Sequence, residues 1–205
     1  MYFIKTVKNR NELKKLFYFF AITFYEESQI YNEPYYTMGE RFIEMEKQYE
    51  TDPELIIYIE DNGKMLAGIT GKGLDKENQK ITVGLLAVDS NYRNKGYATA
   101  LMKEFEKRCI KKGIKHIELG ARLRACPFYH SLKYIPQLMV QVYDFVNINE
   151  IRKVNKFHLK EKSSWQADTY GFIIFYIDEI NDEYIEWFEE TVPTSHAQYL
   201  FSKDV

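Results

Sequence analysis

The residues best placed to do chemistry lie in one short stretch, "DSNYRNKGYATALM" (Asp89–Met102). It follows an apolar run, "ITVGLLAV" (Ile81–Val88), and opens into a helical pattern. A loop between a strand and a helix presents backbone N–H groups that have no acceptor inside the helix. The helix dipole adds positive potential at the same point. Such a junction is a preformed anion site. Gly96 lets the backbone approach a ligand with no Cβ in the way, and Ala98 keeps the first helical turn small. Arg93 and Lys95 add positive charge, and an arginine can grip a phosphate with two N–H groups at once. A pyrophosphate is the natural guest. On spacing alone the stretch reads equally well as an ordinary strand-to-helix turn with solvated basic side chains. Two other phosphate loops are excluded, because neither G-x-x-x-x-G-K-[ST] nor G-x-G-x-x-G occurs.

The elements around the loop follow from periodicity and punctuation. "YFIKTV" (Tyr2–Val7) reads as a strand. From Asn11 a helical pattern places Leu13, Leu16, Phe17, Phe20 and Phe24 on one face, with Asn9 or Asn11 as cap. Tyr18, Phe19, Ile22 and Tyr25 make the opposite face apolar too, which predicts a helix buried on both sides. A loop at 33–40 leads to a second helix ending near Tyr49. Asn62-Gly63 between two apolar runs predicts a hairpin. "GKG" (Gly71–Gly73) lacks the spacing of a phosphate loop and reads as a loop or strand end. "KITVGLLAV" is apolar on both faces, so it should be central in the sheet. A helix follows from about Gly96 to Lys112, with Leu101, Met102, Phe105 and Cys109 inward and Gly113 as its stop. "KHIELGA" (Lys115–Ala121) is a strand. "RACPFYHSLKY" (Arg124–Tyr134) is a short helix with Pro127 near its first turn.

Beyond Pro136 the pattern changes to strand, short helix, two strands, helix and strand. That βαββαβ order predicts a ferredoxin-like unit. Two domains are therefore expected, at residues 1–136 and 137–205. "GFIIFYI" (Gly171–Ile177) is almost uninterruptedly apolar, while the two helices of such a unit cover only one sheet face. Residues from about 137 onward are expected to pack on the first domain or on a second subunit, as in a homodimer, with Trp165 and Trp187 as anchors or core.

The bulk composition narrows the function classes. The chain has 205 residues, 45% hydrophobic and 28% charged, with 17 Tyr and 14 Phe. A formal net charge of −2 gives no reason to expect nucleic acid or an anionic membrane as partner. The two cysteines, Cys109 and Cys126, form no C-x-x-C pair and read as buried thiols. The four histidines lie far apart, so no metal is expected. "LFYFFAITFY" (Leu16–Tyr25) is too short to span a bilayer and is followed by "EESQ" rather than a cleavage site. The expected location is the cytoplasm.

With these residues in view, the chain resembles the GNAT superfamily of acyl-CoA N-acyltransferases. "RNKGYA" matches its R/Q-x-x-G-x-G/A motif, with Ala98 at the last small position. "LLAVDSNYRNKGYATALM" is similar to its strand, loop and helix, and "ACPFYHSLKY" to its A-x-x-F-Y-x-x-x-G-F helix. The resemblance covers roughly residues 1–135. It implies an α+β fold with a mixed central sheet flanked by helices. It also implies acetyl-CoA as co-substrate, its pyrophosphate cradled by the amides of Arg93, Asn94, Lys95, Gly96, Tyr97 and Ala98. Backbone groups of Ala87 and Val88 would pair with the pantetheine arm, and Phe128 would lie against the cofactor. Tyr129 would be the general acid for the departing thiolate, or else a packed aromatic. Three departures stand out. No carboxylate lies on "ITVGLLAV", which leaves the general base unassigned, with Glu118 a weak candidate. Arg122 occupies a position that is often asparagine in the family. Lys133 replaces a glycine. The expected activity is transfer of acetyl to a primary amine by direct attack, and the alternative is a non-catalytic acyl-CoA-binding regulatory module. The acceptor is a small-molecule or peptide amine. Glu26, Glu27 and Glu33 are either an acidic recess for it or a solvated face.

Overall fold

The structure is a computed structural model that describes residues 2–31 and 39–205. The architecture is α+β, a mixed sheet flanked by helices. The chain divides into two compact units, residues 1–117 with 204–205, and residues 118–203.

In the first unit, β1 (Phe3–Thr6), β2 (Ile56–Asp61), β3 (Lys64–Asp75) and β4 (Lys80–Val88) lie side by side in chain order, each antiparallel to the next. The β2–β3 turn is the expected Asn62-Gly63 pair. Both residues have positive φ, 48° and 80°, as a two-residue hairpin turn with the right twist demands. The helices are α1 (Arg10–Tyr31), α2 (Gly39–Thr51) and α3 (Tyr97–Lys111). Asn9 caps α1. Its side chain accepts from the Glu12 N–H at 2.9 Å, while the Glu12 carboxylate accepts from the Lys8 N–H at 2.9 Å, one residue before the cap. Leu13, Leu16 and Phe20 are fully buried with Met45, Ile56 and Tyr58. Gly68 on β3 makes room for them, since a Cβ there would meet the Leu16 Cδ1 at 2.6 Å. The inward stripe of α3 is the expected one, Leu101, Met102, Phe105 and Cys109.

One expectation needs correction here and one is narrowed. The second apolar face of α1 is not buried: Tyr18, Ile22 and Tyr25 are 63%, 59% and 53% exposed, and Phe19 is half-buried. Periodicity shows which residues share a helix face but not whether anything packs on it. The "GKG" segment is not a loop but part of the C-terminal end of a strand. It belongs to β3, where register shifts at Thr70/Gly71 and Lys72/Asp75 bend the strand against β4.

β5 (His116–Ala121) contains the division between the units. The second unit holds α4 (Cys126–Ser131), β6 (Ile135–Tyr143), α5 (Asn149–Lys153), β7 (Glu161–Gln166), β8 (Tyr170–Tyr176), α6 (Asp182–Thr191) and β9 (Ser195–Asp204). From β6 the order is βαββαβ, and the strands lie as β9-β6-β8-β7, all antiparallel. This is the 4-1-3-2 arrangement of a ferredoxin-like unit. Leu138, Val140, Val142, Ile173 and Phe175 form its buried face, and Phe188 of α6 stacks on Phe175 at 5.8 Å. Asn181 caps α6 by accepting from the Glu183 N–H. Tyr143, Trp165 and Tyr176 remain 39%, 51% and 49% exposed. Trp165 stacks on Phe172, whereas Trp187 donates to the Val154 carbonyl at 2.7 Å and carries the Lys156 ammonium above its ring.

Candidate active site

The loop after β4 is built by its first residue. The Asp89 N–H donates to the Leu66 carbonyl at 2.9 Å, which ties the loop to β3. The Asp89 carboxylate accepts from the Asn91 N–H at 2.9 Å and forms an ion pair with Lys64 at 2.9 Å. Burial alone would raise its pKa, but the Lys64 and Asn91 hydrogen bonds outweigh burial and lower it, so it is ionised at neutral pH. A single 3₁₀ turn, Ser90–Tyr92, follows.

From there the backbone alternates. Asn94 has φ 60° and Gly96 has φ 79°, both left-handed. Asparagine tolerates that region and glycine enters it freely. A chain that alternates between right- and left-handed residues turns successive N–H groups toward a common point, a nest for an anion. The first bond of α3 runs from the Ala100 N–H to the Gly96 carbonyl at 2.9 Å. The first N–H groups of α3, beginning at Tyr97, have no acceptor inside the helix and stand beside this turn. Nothing lies within 4 Å of where a Gly96 Cβ would sit, so the space over the loop is open. The loop can therefore hold an anion of phosphate character with main-chain donors alone.

The side chains contribute differently from the sequence reading. The Arg93 guanidinium donates to Glu27 of α1 at 2.7 Å, in a pair only 28% and 14% exposed, and its Nε lies 3.4 Å from the Val88 carbonyl. Arg93 thus braces the loop against α1, and Glu27 belongs to that brace. Glu26 is exposed, and Glu33 lies outside the described residues. Lys64 and Lys95 place their ammonium groups 4.8 Å and 4.7 Å from the centre of the Tyr92 ring. The pairing of Glu27 with Arg93, and the places of Lys64 and Tyr92, escape a sequence reading because the partners are distant or the pairing has no motif. Ala87 and Val88 pair with Gly68 and Ala67 of β3; Ala87 is buried and Val88 half-buried.

Phe128 and Tyr129 lie on α4, in the second unit. Their rings meet edge-on at 5.0 Å, and Tyr129 also packs on Phe201 at 5.6 Å and Tyr134 at 6.2 Å. Tyr129 is 7% exposed. Burial, with a smaller contribution from Cys126, pushes its hydroxyl pKa well above the ordinary tyrosine value. The phenol stays protonated at neutral pH and is a weak acid. Lys133 has φ 67°, the left-handed conformation that the glycine it replaces would adopt without strain. Arg122 precedes the turn into α4, and its carbonyl lies 3.6 Å from the Cys126 thiol. Glu118 on β5 is half-buried. Both cysteines are buried and free, and burial raises the Cys109 and Cys126 thiols to about 12 and about 11. Among the described residues there is no cluster of three or more metal-ligating side chains, and no helix is long and apolar enough to cross a membrane.

Comparison with known proteins gives the chain a family. Residues 18–134 match the model of the Acetyltransferase (GNAT) family, and the chain belongs to that family. An acetyltransferase of Yersinia pestis is 30% identical over 80 residues, 39% of this chain, and the match spans 55% of that protein's length. Two crystal structures share the fold. One is a GNAT-family acetyltransferase from Staphylococcus aureus, with a TM-score of 0.55 and 14% identity over 85% of this chain and 99% of that one. The other, from Pyrococcus horikoshii, has a TM-score of 0.58 and 13% identity over all of this chain and 89% of that one.

Proposed function

We propose that this chain transfers an acetyl group from acetyl-CoA to a primary amine by direct attack. The observation that carries the reading is the loop from Arg93 to Ala98, left-handed at Asn94 and Gly96, that leads into α3, whose first N–H groups have no acceptor inside the helix. The loop would offer main-chain donors to the pyrophosphate, and backbone groups of Ala87 and Val88 would pair with the pantetheine arm. Phe128 supplies an apolar wall. The amine nitrogen attacks the thioester carbonyl, an N–C bond forms, the C–S bond breaks, and the nitrogen releases its extra proton to solvent. The departing thiolate accepts a hydrogen bond from the Tyr129 hydroxyl and takes a proton from it or, through it, from solvent. Because burial makes this phenol a weak acid, stabilising the thiolate by hydrogen bonding is its larger contribution.

The attacking amine must be neutral, and β4 carries no carboxylate to deprotonate it. The expected result is acceptor kcat/KM rising about tenfold per pH unit from pH ~6.5 toward the amine's own pKa, near 10.4 for a lysine-like acceptor. Thiol release from acetyl-CoA with a panel of primary amines measures it. A plateau beginning near neutrality would reveal a general base, and Glu118 would then be the first residue to replace. The missing strand carboxylate also favours a second reading, an acyl-CoA-binding module without turnover. Tight acetyl-CoA binding with no amine-dependent thiol release across the panel would establish that reading instead.

A further inference from the structure

The second unit has a recess of its own. It is a cavity of about 390 Å³, open to solvent, lined by Phe145 and Asn147 from the loop after β6 and by Gln166, Ala167 and Asp168 at the β7–β8 turn. Hydrogen bonds tie its walls together. The Gln166 Oε1 accepts from the Ile148 N–H at 2.7 Å, and its Nε2 donates to the carbonyls of Ala167 at 2.9 Å and Val146 at 3.3 Å. The Asn147 Oδ1 accepts from the Asn149 N–H at 2.9 Å. The Ala167 N–H closes the hairpin on the Tyr170 carbonyl at 2.8 Å.

Two lining side chains are left for a ligand. Asp168 is exposed, and among the described residues its carboxylate is in no ion pair or hydrogen bond. Phe145 is 76% exposed and meets no other ring among the described residues. Its backbone is unusual as well. Asp144 and Phe145 have φ 55° and 66°, and the Val146 N–H donates to the Tyr143 carbonyl at 3.1 Å. That is a tight turn with both central residues left-handed, where glycine is the usual second residue. A bulky aromatic there is an outlier, and strain of that kind clusters at ligand clamps. The charge pattern fixes the sign of the guest. Residues 163–202 include no Lys or Arg and eight Asp or Glu, and residues 134–151 include no Lys or Arg and two Asp or Glu. The field at the recess therefore favours a cation. A carboxylate beside an exposed ring suits a planar one. A guanidinium offers paired N–H groups to the carboxylate, stacks on the ring and gives up its water more readily than an ammonium. We propose that this recess binds a guanidinium group, held by Asp168 and stacked on Phe145. The inference is independent of acetyl transfer, because none of these residues lies in the Arg93–Ala98 loop or on α4.

The test uses the full chain without acetyl-CoA. Backbone ¹H–¹⁵N resonances are followed at low salt during titration with methylguanidinium and, as the matched control, methylammonium. Methylguanidinium should shift the amides of residues 145–148 and 166–169 saturably, and methylammonium should bind at least about fivefold more weakly. Asp168→Asn should weaken methylguanidinium at least about tenfold. Phe145→Gly should weaken it about threefold and raise the melting temperature, since glycine enters the left-handed region freely. Both residues are exposed, so both variants should fold. A capped Gly-Arg-Gly peptide identifies the source within the proposal. Tighter binding than methylguanidinium assigns the recess to an arginine of a peptide, and equal binding assigns it to a small guanidine compound. No saturable shift of these amides with methylguanidinium overturns the proposal. So does equal binding of the two cations, or an Asp168→Asn or Phe145→Gly variant that binds as the wild type does.

Discussion

Tyr129→Phe is expected to lower kcat about 100-fold while acetyl-CoA affinity changes little. The substitution removes one oxygen and keeps the ring contacts with Phe128, Phe201 and Tyr134 that hold α4 in place. The fold should therefore survive, and the loss should fall on the step in which the thiolate departs. The raised pKa of the phenol sets the sign of the pH effect. Its hydroxyl remains protonated through the working range, so no loss of activity from its ionisation should appear below pH 10. Steady-state kinetics of both proteins with the same amine, alongside calorimetric binding of acetyl-CoA, separates the two roles. Wild-type turnover in the variant would leave Tyr129 as a packing residue of the second unit.

Gly96→Glu is expected to weaken acetyl-CoA at least tenfold, about 1.4 kcal/mol. Two effects add. Gly96 is left-handed at φ 79°, where any side chain costs about 1 kcal/mol or more and would draw the loop out of its alternating conformation. The new carboxylate also stands over amides that are to receive an anion. Its Cβ meets nothing within 4 Å, so the cost falls on the loop rather than on the core, and unfolding should remain cooperative. Gly96→Ala separates the terms, since it keeps the strain and omits the charge. Equal losses for Ala and Glu would mean that the geometry of the loop, not the field above it, governs binding.

The parts of the molecule that were legible in the sequence are those determined by a few adjacent residues. Asn62-Gly63 forces its turn because both residues accept positive φ. Asn9 starts α1 by accepting from the Glu12 N–H within one turn. The helix start in "RNKGYA" was readable because a glycine after an apolar run marks a strand-to-helix junction, and α3 begins at Tyr97. Interactions that depend on distant partners were not legible. Glu27 and Arg93 are 66 residues apart, and nothing near either announces the other. The outer side of α1 was misjudged because a helix apolar all round looks buried until the neighbouring layer is known. The "GKG" segment read as a loop or a strand end because glycines mark bends and bulged strands alike, and only pairing with β4 distinguishes the two.

The central claim is that the amides from Arg93 to Ala98 receive the pyrophosphate of acetyl-CoA. Backbone ¹H–¹⁵N resonances followed during titration with acetyl-CoA test it most directly. The predicted result is that these six amides show the largest shifts in the chain, in the direction of stronger hydrogen bonding, and that desulfo-CoA, which keeps the pyrophosphate, moves them similarly. Shifts concentrated elsewhere, with these six amides unmoved at saturation, would contradict the account.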